Sequence, residues 1–159
     1  MRNRSPIYRQ LIIIALLIAS IGIIYQDVVH FDFTNFDDDS YITRNRIVQE
    51  GLSLENIGWA FSFSQEVIRA YWHPLTWISH MLDCQLFGLD AGMHHLINLL
   101  FHAANAVLLF IVFYLMTRST WKSAFLAGLF ALHPINVDSV AWIAERKNVL
   151  STFFWMVTM

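Results

Sequence analysis

Residues 7 to 25, IYRQLIIIALLIASIGIIY, hold an apolar core from Leu11 onward that roughly matches the ~20 residues a helix needs to cross bilayer hydrocarbon. In lipid each backbone N–H and C=O must be bonded within its own segment, so a run of this kind folds as a helix. Arg2, Arg4 and Arg9 flank its start. Ser20-Ile21-Gly22 has the small-x-small form of a signal-peptide cleavage site, but the run continues past it through Ile23, Ile24 and Tyr25, which favours a retained anchor.

Further apolar runs follow at about 96–117 (LINLLFHAANAVLLFIVFYLMT), 122–134 (around AFLAGLFALHP) and 149–159. With 57% apolar and only 14% charged residues, the whole chain has the make-up of a membrane protein. The expected class is therefore all-α: a polytopic membrane helix bundle, one partial membrane domain over residues 1–159. The last run, VLSTFFWMVTM, is unfinished at Met159 and reads as the truncated start of a fourth span, so the chain is expected to be an N-terminal fragment.

Charge sets the orientation. Arg2, Arg4, Arg9, Arg118 and Lys122 fall on one side of these spans, which makes that side, and the N-terminus, cytoplasmic. All twelve acids then lie on the outer side, in the loop at about 26–94 and the segment at about 135–148. Arg44, Arg46 and Arg69 share the long loop, where charge has little topological weight. Arg146 and Lys147 oppose the bias and invite a functional explanation. The net charge of −2 gives no reason to expect a nucleic-acid partner, and the lone Cys84 forms no internal disulfide.

The outer loop is expected to carry interfacial amphipathic helices. In SLENIGWAFSF, Ser53 suits an N-cap, with Leu54, Ile57, Ala60 and Phe61 at helical spacing. In WHPLTWISHMLDCQLFG, Pro74 suits the first helical position and Gly88 the residue past the end, with an apolar stripe of Leu75, Ile78, Leu82 and Leu86 between them. Trp59, Trp72 and Trp77 suit headgroup depth.

Within this setting the run FTNFDDDSYI places Asp37, Asp38 and Asp39 among aromatics about a dozen residues past the first span. Three acids in a row are ordinarily a solvated turn. Against a membrane surface, crowding and partial desolvation would suit one of them to act as a general base or a divalent-metal ligand. His95, Asn98, His102 and Asn105 are spaced three, four and three apart, hence on one face of the second span, where they either bond neighbouring helices or line a cavity. The seven histidines show no spacing diagnostic of zinc. Beyond the third span, Pro134 is expected to end or kink the helix and Asn136 to cap a new one in which Asp138, Trp142, Glu145 and Arg146 recur at helical intervals. Arg146 and Lys147 then sit at the outer mouth of the fourth span, either snorkelling to headgroups or clamping a lipid-borne phosphate. His73, His133, Asp138 and Glu145 join His95, Asn98 and His102 as candidate cavity-lining residues.

The segments FDDDSYI, GLSLENIGWAF, WHPLTWISHMLDCQLFGLDAGMHHLINLLFHAANAVLLF and SAFLAGLFALHPINVDSVAWIAERKNVLSTFFW together resemble the N-terminal membrane region of bacterial tetratricopeptide-repeat membrane proteins. Those are similar to the animal transmembrane-and-TPR-containing O-mannosyltransferases, within the GT-C type glycosyltransferases. The resemblance implies an inverting transfer of sugar from a polyprenyl-phosphate donor to an acceptor hydroxyl, such as a protein Ser or Thr, on the outer face of a bacterial inner membrane. It implies Asp37 or Asp38 as the base, or as a ligand of an assisting metal, and Arg146 with Lys147 at the donor phosphate. A divalent ion is compatible with this and not required. Asp138 stands where the family commonly has Glu, and Asn148 where it has Asp. The family's repeats of about 34 residues are missing from this sequence, and the fragment alone is expected to be inactive. Two other readings use the same residues: a membrane-anchored TPR scaffold without catalysis, and a transporter with a midplane site on the polar face of the second span.

Overall fold

The structure, a computed structural model, describes residues 7–62 and 72–159; Arg2, Arg4 and Arg69, used above for charge and topology, lie outside them. The described residues are helical, without a strand. Helix α1 runs Ile7–Ile24, α2 Arg46–Gln49, α3 Leu54–Phe61, α4 Pro74–Phe87, α5 Ala91–Thr117, α6 Thr120–Leu132, α7 Val137–Ala141 and α8 Arg146–Thr158. Two of them, α1 and α5, are long and apolar enough to cross a membrane, and α6 with the segment Pro134–Ala141 makes a bent third of 50°.

Helix α1 buries a single stripe, Ile13, Leu17 and Ile21, and leaves Leu11, Ile12, Leu16 and Ile18 exposed. A helix apolar all round with one packed stripe is what a lipid-facing span presents. That stripe meets Leu99, Ala106 and Phe110 of α5 and Ala127 and Ala131 of α6 in one core. The small residues let the backbones approach closely.

Helix α5 begins five residues before the apolar run, because the Asp90 side chain accepts from Met93 N at 3.2 Å and caps it. At ~1.5 Å per residue its length is about 40 Å, more than the roughly 30 Å of bilayer hydrocarbon.

A second core forms apart from the first: Tyr41, Ile42, Val48, Ala60, Trp77, Met81 and Cys84 pack with Ile143 and Ala144. The expected helix signals hold here. Ser53 Oγ accepts from Asn56 N at 3.0 Å, Pro74 opens α4, and Gly88 ends it at φ +65°, a conformation glycine adopts without steric penalty. The leucine stripe of α4 is present but turned outward, with Leu75, Leu82 and Leu86 exposed; the buried face is Trp77, His80, Met81, Asp83 and Cys84.

The segment after Pro134 departs from expectation. Asn136 does not cap a new helix: its amide donates to Phe130 O at 2.7 Å, tying the bend back to α6. Nor does one helix run through Trp142, whose extended backbone (ψ 119°) splits the segment into α7, a 3-10 turn over Ile143–Glu145, and α8. That break gives Ala144 a free N–H.

Candidate functional site

The three aspartates part company in the structure. Asp38 is fully buried, and its carboxylate is shared between two chain segments. Oδ2 accepts from Thr34 N at 2.8 Å and from Thr34 Oγ at 2.9 Å, while Oδ1 accepts from Ala144 N at 2.8 Å. Asp39 pairs with the exposed Arg44 at 3.2 Å. The partly exposed Asp37 carboxylate has neither hydrogen bond nor ion pair among the described residues, though its main-chain carbonyl accepts from Ser40 Oγ and Tyr41 N.

The Ala144 contact brings the acidic turn against the start of α8, where the basic pair also divides. Helical neighbours point about 100° apart, and Lys147 turns outward. It pairs with Glu145, reaches Ala144 O at 3.5 Å and stands 5.8 Å from the centroid of the Tyr41 ring, itself stacked on Trp77 at 4.5 Å. Glu145 also accepts from Asn148. His73 shares this neighbourhood, its pKa lowered by burial and by Lys147, with Glu145 pulling the other way. His73, Glu145 and Lys147 thus lie together beside Ala144, the residue whose N–H Asp38 accepts.

Arg146 points inward and is fully buried. Its Nε donates to Asn98 Oδ1 at 2.7 Å, Nη2 to His94 O at 2.7 Å, and Nη1 to Ser79 Oγ at 3.1 Å and to Asp83 Oδ2. The guanidinium therefore joins α4, α5 and α8 and is committed to protein partners. Burial raises the Asp83 carboxyl above its ordinary range while Arg146 pulls it back. His80, next to this pair, is held well below the usual imidazole value, first by burial and then by Arg146 and His94. Cys84 on the same helix is pushed up to about 11, again chiefly by burial.

The polar face of α5 stitches helices together. Asn98 Nδ2 donates to Trp142 O at 3.0 Å, His102 Nε2 to Ala131 O at 3.0 Å and Asn105 Nδ2 to Val149 O at 2.8 Å, the first two at carbonyls beside a helix break or end. His95 is buried edge-on to Phe31. His133 and Asp138 are exposed; the His133 ring, whose Nδ1 accepts from Ile135 N at 3.1 Å, lines an apolar groove with Phe125, Leu129 and Leu132.

Sequence reasoning missed His80, Asp83, His94 and Ser79 as members of this centre. A signal was present: His80 and Asp83 are three apart and so share a face of α4, opposite the leucines.

Among known proteins the chain is similar to human protein O-mannosyl-transferase TMTC3, 32% identical over 126 residues, which is 76% of this chain and 14% of the relative. It is also similar to human protein O-mannosyl-transferase TMTC2, 35% identical over 89 residues (55% of this chain, 10% of the relative). Protein O-mannosyl-transferase Tmtc2 of Drosophila melanogaster is 27% identical over 128 residues (77% of this chain, 14% of the relative). The chain thus spans about a seventh or less of the length of these relatives. No protein-family model matches the chain, and neither does any solved structure.

Proposed function

We propose that this chain is the N-terminal membrane part of a protein O-mannosyl-transferase-like enzyme of the GT-C type, and that the mouth beside Asp37 is where an acceptor hydroxyl is deprotonated. The relatives' names support a sugar donor and a protein acceptor. The observation that carries the reading is the division of labour between neighbours: Asp38 is locked between Thr34 and Ala144, which holds Asp37 at the mouth with its carboxylate unclaimed among the described residues. A positioned carboxylate of this kind takes the proton of an incoming Ser or Thr as its oxygen attacks the anomeric carbon. Both Asp38 oxygens are already engaged, so Asp37 as a lone base is better supported than a metal shared by the two.

For the donor, a polyprenyl-phosphate sugar, Lys147 is the better-supported phosphate contact, since Arg146 is committed to Asp83, Asn98, Ser79 and His94. Charge builds on that phosphate as the sugar departs, and a cation at the mouth stabilises it. Arg146 then acts through position, fixing the first turn of α8 so that Lys147 faces out. The outward leucines of α4 fit a helix lying on the bilayer. The placement in a bacterial inner membrane with the N-terminus cytoplasmic belongs to the same proposal, as do further spans and TPR repeats beyond Met159.

The test uses the full-length protein in membranes, with a radiolabelled polyprenyl-phosphate mannose and a Ser/Thr-rich peptide. Label in the peptide, absent when the donor is omitted, supports the enzyme. Failure to label under any donor, with repeat-dependent protein binding intact, supports a scaffold instead.

A further inference from the structure

We propose that His80, Asp83 and His94 form a binding site for a zinc-class divalent ion, buried beneath the mouth where α4 packs on α5. The ligand atoms of the three side chains lie within 4.8 Å of one another, and all three residues are buried. Such a set, two imidazoles and one carboxylate, suits Zn²⁺ or Co²⁺ and not Mg²⁺ or Ca²⁺, which take mostly oxygen ligands.

Two features point to an ion beyond mere proximity. His80 has no exposed surface, and neither of its ring nitrogens has a hydrogen-bond partner among the described residues. A buried imidazole left so is costly unless something else claims a lone pair. The second feature is the tautomer of His94. Its Nε2 lies 3.1 Å from Gly88 O, and a carbonyl only accepts, so Nε2 carries the proton. Nδ1 therefore presents a lone pair, and 3.4 Å away it faces Asp83 Oδ2, another lone pair. Arg146 already bonds that oxygen, but His94 Nδ1 has no donor of its own among the described residues, and a cation there would serve it. The Gly88 carbonyl is also the kind of outer partner that orients a metal-bound histidine.

The geometry needs little change. Bonds of about 2.1 Å at a tetrahedral ion put ligand atoms about 3.4 Å apart, which the His94–Asp83 pair already meets, so only His80 must draw in. Phe33 and Tyr41 close the surroundings against His94 and His80, at centroid distances of 5.5 and 6.5 Å. Arg146 bonds the same Asp83 oxygen and offsets its charge, so the ion relies on the imidazoles more than on the carboxylate. A site this enclosed is structural: it fastens α4 to α5 below the mouth and, through Arg146, to α8.

The experiment is metal content and Co²⁺ spectroscopy on the purified full-length protein. About one zinc per chain is expected, and Co²⁺ in its place should give the visible bands of tetrahedral cobalt. His80→Phe and His94→Phe, which keep ring shape, should lose both signals, while Asp37→Asn should keep them. Wild-type protein that takes up neither ion at micromolar concentration would overturn the site, as would undiminished binding in folded His80→Phe and His94→Phe. If those variants do not fold, the wild-type cobalt spectrum decides alone. Neither signal depends on sugar transfer, so the site stands or falls apart from the enzyme reading.

Discussion

Ala144 donates its main-chain N–H to Asp38 Oδ1 at 2.8 Å, across 106 positions of sequence, and this bond docks the segment after α1 onto the entrance of α8. The bond exists because the backbone opens at Trp142 and turns through a 3-10 segment, freeing that N–H from a helical ladder.

Asp38→Ala should therefore lower stability markedly. It strands the buried Ala144 N–H and removes the acceptor of Thr34 N and Oγ, which are on an exposed residue, for a loss of about 1–3 kcal/mol. Thermal unfolding of the detergent-solubilised protein checks this. Asp37→Ala should leave the unfolding temperature within error of wild type, and an equal drop in both would remove the distinction between the neighbours.

What the sequence revealed of this region, and what it hid, follows from range. Ser53, Pro74 and Gly88 mark helix ends through local bonds and dihedrals, so they were legible. The 3-4-3 spacing of His95, Asn98, His102 and Asn105 also identified a shared face of α5. Whether that face lined a cavity or bonded its neighbours depended on partners over 25 residues away, and the structure shows bonding for Asn98, His102 and Asn105. Arg146 and Lys147 looked equivalent as a pair. They differ because the one faces Asp83, 63 positions away, and the other turns to Glu145 and the Tyr41 ring, and no local pattern encodes that. The leucine stripe of α4 drew attention from the opposite face, which carries His80 and Asp83.

Arg146→Met should be among the most damaging single changes, since in protein stripped of divalent ions it leaves the Asp83 carboxylate buried and unpaired, at a cost of about 3–5 kcal/mol. Adding Asp83→Leu to Arg146→Met should recover part of that loss. Unfolding free energies for the two singles and the double give the coupling directly, and simple additivity would mean that the pair does not act as one unit. Arg146→Lys should rescue poorly, because a lysine cannot span Asn98, Ser79, Asp83 and His94.

Lys147→Ala should behave in the opposite manner. Its ion pair with Glu145 is partly solvated, so the stability change should stay within about 1 kcal/mol. The effect should fall instead on the donor: a raised KM for polyprenyl-phosphate sugar, measured at low salt, with acceptor KM unchanged. A shift in acceptor KM alone would assign Lys147 to the other substrate.

Gly92→Ala probes how the start of α5 meets the turn after α1. A Cβ there would press into the Val29 carbonyl, which as main chain cannot swing aside, so a loss of about 1–3 kcal/mol is expected. Gly128→Ala in α6 meets open space and serves as the control, with a neutral or slightly favourable effect.

The most direct measurement compares Asp37→Asn with wild type in single-turnover sugar transfer by the full-length protein, at matched folded concentration. Loss of a general base should lower the rate by 10²–10⁴ fold with the unfolding temperature preserved. Transfer by Asp37→Asn at the wild-type rate would contradict the assignment of this mouth as the site of acceptor activation.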